Sequence, residues 1–430
     1  MCASRRFHAA GLFAVFALAL TAGVADAGQD QRPVRQLFGP GARDADAGFK
    51  IDLLVDGYEG RGQNQAAALD GVDQAVVQHS RFYTGVFGTT SYEKQGRRAS
   101  LRLFSGHSAR YFDGLGAVTQ EHHGGLGFAA QTGRRTRVRG EASALYTPYH
   151  QLLGVPELEG QPSVAPVVEG GVSVSEALIY NATFGIERQF GKNTEVAVDA
   201  GARVARYGTA DRDTNAGHLG AMFSRQLTRG IALNLGDTVR VLEGANREQI
   251  VAHNITAGID YGRSLAFSRR TRLSFNSGTA VTSDDEGQKY GVIGMAQLTH
   301  EMGRTWSIAS AFDRNLRVVD LLPEPFFANS MSLYLGGTIG QRVSFRTRGA
   351  YAFGAVTLRE SDGSQYSSVI GETRVSIALG RHFQIYVEHL YYEHRFPLEL
   401  ALPSGLSHRR IQNGARVGLN IWAPLVRAIR

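Results

Sequence analysis

Charged side chains recur at every second position of short segments, and their types suggest ion recognition along a wall. The positive set is Arg98, Arg102, Arg137, Arg139, Arg203, Arg240, Arg272, Arg346, Arg348, Arg374 and Arg416; the negative set is Glu141, Glu187, Glu195, Asp199, Asp260, Glu372 and Glu388. A guanidinium holds a carboxylate or phosphate through two parallel hydrogen bonds, and rings of arginine favour anion passage. The cationic set outnumbers the acidic one, so a wall carrying both is expected to prefer anions mildly. A second reading stands beside it: the two signs pair across neighbouring strands and only keep the wall wet.

Other chemistries find less support. His122 and His123 are adjacent, and His389 and His394 are five apart, so on strands the members of each pair face oppositely. A metal site would need a second strand to complete it, and neither a metal nor a cofactor is expected. Ser/His combinations exist, but without a nucleophile motif no catalytic residue is assigned and no enzyme is expected. Asp284, Asp285 and Glu286 in "SDDEGQ" could hold a divalent ion, though such a loop is usually just solvated. Asn181-Ala-Thr183 and Asn254-Ile-Thr256 match a glycosylation pattern inside expected strands and are read as incidental.

The elements that position these charges are strands. In "TEVAVDAGARVARYG", Val196, Val198 and Val204 alternate with Glu195, Asp199 and Arg203. "ALIYNATFGIERQF" sets Leu178, Tyr180, Phe184 and Ile186 against Asn181, Thr183 and Glu187. "RVSFRTRGAYAFG" sets Val343, Phe345, Tyr351 and Phe353 against Ser344, Arg346 and Arg348. Tight turns near residues 96, 133, 191, 229, 269, 303, 341 and 381 alternate with longer or more polar connections, of which 147–173 is the longest. That long connection is where a constriction or lid is most plausibly built. Eight tight turns and nine longer connections join 18 strands; loss of the weakest, "FKIDLLVDGYEG", with one partner would leave 16. Only "NQAAALDGVDQAVVQ", 64–78, hints at a helix.

Such a set of strands needs cover for its apolar side, and no helices are on hand to provide it. Lipid outside and water inside explain the asymmetry of short and long connections better than a soluble sandwich does. In a bilayer every backbone group must be paired, and closure removes the sheet edges. The fold class is therefore all-β: an antiparallel up-and-down transmembrane barrel of about 18 strands, with short periplasmic turns and longer extracellular loops. A barrel this large leaves room for an aqueous channel. Trp306, Phe345, Phe383 and Trp422, all near tight turns, are expected to form an interfacial girdle.

The ends read as processing segments. Residues 1–27 carry positive charge, an apolar run and Ala25-Asp26-Ala27, as a cleaved signal peptide does. Residues 28–48 are expected to be a periplasmic lead-in, 49–425 the barrel and 426–430 a short tail. The chain's single cysteine, Cys2, lies in the leader, so neither a disulfide framework nor a thiolate metal site is expected after cleavage. Loss of Arg5, Arg6 and Asp26 takes the formal net charge from +7 to +6, which does not point to nucleic acid.

The last strand contains Gln412-x-Gly414-x-x-Val417-x-Leu419, which resembles the C-terminal targeting signal of bacterial outer-membrane barrels, although the chain runs on to Arg430 rather than ending on an aromatic. The chain as a whole resembles outer-membrane β-barrels of the porin type. Units such as "ERQFGKNTEVAVDAG" and "RSLAFSRRTRLSFNSG" also resemble, faintly, barrels that accompany exopolysaccharide gene clusters. The resemblance implies a Gram-negative-type outer membrane, with its lipid, its lipopolysaccharide and the barrel-assembly machinery as partners. The residues imply passive passage of small hydrophilic solutes. An export barrel for an acidic exopolysaccharide and a non-conducting adhesin or anchor barrel stand as alternatives, and the solute and oligomeric state stay open.

Overall fold

The computed structural model describes residues 37–38, 47–67, 77–112, 117–147, 177–207, 213–228, 231–244, 249–261, 264–265, 268–284, 287–317, 326–355, 365–397 and 408–429. Among them every regular element is a strand: β1 Ala47–Ala67, β2 Val77–Gln95, β3 Ala99–Phe112, β4 Ala117–Gln131, β5 Thr136–Thr147, β6 Ala177–Gln189, β7 Thr194–Tyr207, β8 Thr214–Thr228, β9 Ile231–Gly244, β10 Ile250–Tyr261, β11 Ser264–Leu265, β12 Ser268–Asp284, β13 Gly287–Met302, β14 Trp306–Arg317, β15 Phe326–Ile339, β16 Val343–Ala355, β17 Gln365–Ala378, β18 Phe383–Arg395 and β19 Arg409–Ile429. Each pairs antiparallel with its sequence neighbour, and β1 pairs with β19 as well as β2. The two-residue β11 only decorates the connection between β10 and β12, which pair directly. The result is a closed barrel of 18 staves; the 16-strand alternative fails, because β1 pairs along nearly its whole length on both sides.

Three of the tight turns are set by glycines with positive φ, Gly191 (85°), Gly303 (66°) and Gly340 (63°), a region side-chain-bearing residues avoid. These fall within "FGKN", "MGRT" and "GQR". At the other rim, pairing climbs further than the polar sequence suggests. The Asp284↔Gly287 pair leaves only 285–286 between strands at "SDDEGQ", so Asp285 and Glu286 lie outside the described residues. The expected helix at 64–78 is overturned at both ends, since 64–67 and 77–78 are strand. The 147–173 connection lies outside the described residues apart from Thr147, which ends β5.

Strand β19 continues through Ile429, past residue 425. Asp52 pairs with Pro424 while Ile51 pairs with Val426, so Leu425 forms a bulge beside a proline that cannot donate to the ladder. At the same rim the Leu37 N–H donates to the Gln341 carbonyl at 2.9 Å, which holds residue 37 against the β15–β16 turn.

The two faces differ sharply. Val86, Leu103, Tyr180, Ile186, Val198, Leu219, Ile255, Val292, Leu333, Val387 and Val417 are exposed on the outer face. Their strand neighbours of opposite parity, such as Gly85, Thr183, Gly418 and Glu388, are buried. Trp306 and Phe345 sit together outside, ring centroids 5.9 Å apart, and Phe383 is exposed on the same face. Trp422 corrects the girdle expectation. It is buried on the inner face and stacked on His382 at 5.4 Å, because its parity is that of Asn420 and Gly418.

Candidate functional site: the inner wall

Cross-strand partners in an antiparallel ladder share a face, so a few anchored residues orient every charge. The buried Glu388 pairs with Arg374 on one side and Arg416 on the other. Arg346 pairs with Arg374, and Arg348 with Glu372, so all six project inward. Arg203 pairs with Asn181, Glu195 with Gln189, and Asp199 with Gly185; Arg137 pairs with Glu187, and Glu141 with the buried Thr183. The same register puts Arg102, Arg139, Arg240, Arg272 and the backbone position of Asp260 on that face. The side chain of Asp260 lies outside the described residues. Arg98 differs: it falls in the β2–β3 turn, lining a hollow at the short-turn rim with Gln95, Gln131 and Arg137. In the targeting stretch, Gln412 is buried and shares the inward parity with Gly414, while Val417 and Leu419 are exposed outside.

The charges gather most densely where the chain ends meet. Glu388, with 3% of its side chain accessible, receives Arg416 at 2.5 Å, Arg374 at 3.4 Å and Arg346 at 3.8 Å; Arg346 also reaches Glu372 at 3.0 Å. The Tyr386 hydroxyl donates to both carboxylate oxygens of Asp56, at 2.9 and 3.0 Å. With the Asn420 amide oriented to satisfy both neighbours, its nitrogen donates to Asp56 at 3.0 Å and its oxygen accepts from Arg374 at 2.6 Å. Arg374 lies 3.5 Å over the Tyr386 ring and Arg416 lies 4.9 Å over that of Tyr58. Arg110 Nε donates to the Tyr58 hydroxyl at 2.7 Å.

Glycine makes this layer fit. Tyr58, Tyr83 and Tyr386 form one buried cluster, and each ring lies over a glycine on the adjacent strand: Gly85, Gly60 and Gly418 respectively. A Cβ at any of the three would collide with the ring. The flat tyrosines then offer their faces to the guanidinium groups.

Elsewhere the wall carries isolated contacts. Arg139 meets Glu187 at 2.7 Å, His218 meets Asp199 at 3.4 Å, and Arg203 donates to Asn181 at 3.2 Å. Arg102 lies 5.6 Å over Phe104. Pairing of opposite signs, one of the two readings open from sequence, is thus present on several staves.

Sequence reasoning missed Asp56, Tyr58, Arg110, Tyr386 and Asn420. A signal for the first existed: Ile51, Leu53 and Val55 alternate with Asp52 and Asp56, but the inward Leu54 blurs the pattern. His122 and His123 do face oppositely. His123 stacks inside near Phe87 at 5.9 Å, while His122 meets His107 outside. His389 is likewise outside, bonded to Asn413 at 2.8 Å, and His394 is buried within.

Fold and wall together define a class, a closed 18-strand antiparallel barrel with a charged interior and an apolar exterior. No family model matches the chain, and no curated protein matches it. Among solved structures it is similar in fold to Pseudomonas aeruginosa OpdQ, at 9% identity and TM-score 0.43 over 88% of this chain and 98% of that one. It is similar also to Pseudomonas aeruginosa OpdL, at 10% identity and TM-score 0.44 over 88% and 99%. Pseudomonas aeruginosa OccK11 (OpdR) gives 11% identity and TM-score 0.44 over 91% and 99%.

Proposed function

We propose that the protein is a porin-like channel of a Gram-negative-type outer membrane, passing small hydrophilic solutes passively with a mild preference for anions. One observation carries the reading: 18 closed staves place charge on the inner face and exposed aliphatic and aromatic side chains on the outer. In water that outer belt would be a very large apolar patch; in a bilayer it is the expected surface. Closure leaves no unpaired backbone edge in hydrocarbon. The short-turn rim then faces the periplasm, on the side from which the lead-in before β1 enters after cleavage of 1–27, and the longer connections face outward. The inward arginines, together with Arg98 in the β2–β3 turn at the rim, supply the anion preference, and the inward carboxylates moderate it.

The wall does not favour the export alternative. Guiding an acidic polymer calls for a continuous cationic track, whereas Glu388, Glu372 and Asp56 interrupt the densest run of arginines here. Purified protein reconstituted in planar bilayers tests the proposal. Discrete conductance steps are expected, with a reversal potential in a KCl gradient displaced modestly toward chloride. A folded barrel silent at every voltage would overturn the channel, and a reversal potential displaced toward potassium would overturn its selectivity.

A further inference from the structure

The two rims of the barrel differ in charge. Six short turns lie wholly within the described residues: "QGRR" at 95–98, "TGRRT" at 132–136, "FGKN" at 190–193, "MGRT" at 302–305, "GQR" at 340–342 and "GRH" at 380–382. Each contains at least one exposed Lys or Arg, and none contains Asp or Glu. Among the described residues the carboxylates next to these turns, Glu93, Glu187, Glu195 and Glu301, all take the inward parity. At the long-loop rim Arg395 and Arg409 instead meet Glu393, at 2.7 and 3.2 Å, and Arg206 meets Asp213 at 3.5 Å.

On the outer face the short-turn cations come with exposed apolar side chains. Phe190 precedes Lys192, Ile339 precedes Arg342 and Leu379 precedes Arg381, each by two or three residues. Three further cations leave the wall sideways rather than from a turn tip: Lys94, Arg188 and Arg225 are exposed and of outward parity, and Arg188 lies 5.2 Å over the Phe190 ring. At a bilayer interface such a set buries its apolar members among acyl chains and holds its cations at the level of the phosphates.

We propose that the outer edge of the short-turn rim is a docking surface for anionic phospholipid of the inner leaflet, with the phosphodiester of a phosphatidylglycerol-type headgroup as its ligand. This rests on the outer face meeting lipid and on the short turns facing the periplasm, and not on the barrel conducting. Basic residues beside a membrane gather anionic lipid by charge, and a guanidinium holds a phosphate through paired hydrogen bonds. The sideways cations favour a lipid over an acidic protein capping the end of the barrel. A cap would touch the turn tips and leave Lys94, Arg188 and Arg225 unused, whereas headgroups reach them from the side.

The chain carries its own reporter. Of its two tryptophans, Trp422 is buried inside, while Trp306 faces out, two residues after Arg304 and paired with Gly337 beside the turn that carries Arg342. The full chain is reconstituted in phosphatidylcholine vesicles with a minor fraction of brominated phosphatidylglycerol or, in parallel, of brominated phosphatidylcholine. The phosphatidylglycerol is expected to quench Trp306 about twofold more strongly at low salt, and molar salt should remove the difference. Arg304→Gln combined with Arg342→Gln should bring quenching by the two lipids to the same level, with heat-modifiable gel mobility confirming a folded barrel. Equal quenching of the wild type by both lipids, or a preference that survives in the folded double variant, overturns the proposal. Equal quenching together with arginine-dependent binding of polyglutamate to the vesicles would assign the rim to an acidic protein instead. Conductance recorded on the same samples separates each of these outcomes from failure of the channel.

Discussion

Two stretches of the inner wall are built on different principles. From β16 through β19 to β1, Asp56, Arg346, Glu372, Arg374, Tyr386, Glu388, Arg416 and Asn420 form one connected network over a floor of tyrosines seated on glycines. From β5 to β8 the contacts are separate: Arg139 with Glu187, Asp199 with His218, Arg203 with Asn181. A buried network costs a great deal to break at one member, because the partners remain charged and desolvated. An isolated pair with part of its surface in solvent costs little. The dense wall therefore holds the seam where the chain's ends meet, and under the proposed channel function it is the sparse wall that would set selectivity.

The largest effect should come from the centre of the network. Glu388→Ala removes the carboxylate that three guanidinium groups share, leaving Arg346 with Glu372 alone, and is expected to destabilise the barrel by about 3–5 kcal/mol, read as a lower urea midpoint by tryptophan fluorescence. A shift no larger than that of a sparse-wall variant would erase the contrast. Next comes a check that the sparse wall is oriented as described. Val198→Arg places a charge on the exposed outer face and should cost about 2–4 kcal/mol near the bilayer midplane, whereas Asp199→Asn, one residue away on the inner face, should cost far less in the same folding assay.

Tyr386→Phe removes both donations to Asp56 while keeping the ring under Arg374. A loss of about 1–2 kcal/mol is expected, and an unchanged midpoint would show that the Asp56 contact contributes nothing. Smallest in stability is Glu187→Gln, at most about 1 kcal/mol. Its signature is electrical: freeing Arg139 from its carboxylate should move the reversal potential further toward chloride. If E187Q left selectivity untouched and the conservative Glu372→Gln in the seam changed it, the roles of the two walls would be reversed.

Much of this was legible because strand parity is a local property. In "TEVAVDAGARVARYG" alternation alone separates Val198 from Asp199, and the ladder carries that choice to Gly185 and Gly220 without further information. What alternation does not carry is which charges meet. Asp56 and Tyr386 are 330 positions apart and are joined only when the first and last strands close the barrel. The inward Leu54 hid the polar face of β1, and the bulge around Leu425 and Pro424 hid the continuation of β19. Outside, His107 and His122 become neighbours only through the register between β3 and β4.

The central claim is that adjacent residues of one strand face different media, and a pair of cysteines tests it most directly. With Cys2→Ser as background, V198C and D199C should respond oppositely in lipid vesicles. The cysteine at 199 should react with a small charged thiol reagent and be blind to a lipid-borne quencher once labelled. The one at 198 should resist the reagent and be quenched. Equal reaction of both with the aqueous reagent, or quenching of a label at 199, would contradict the account.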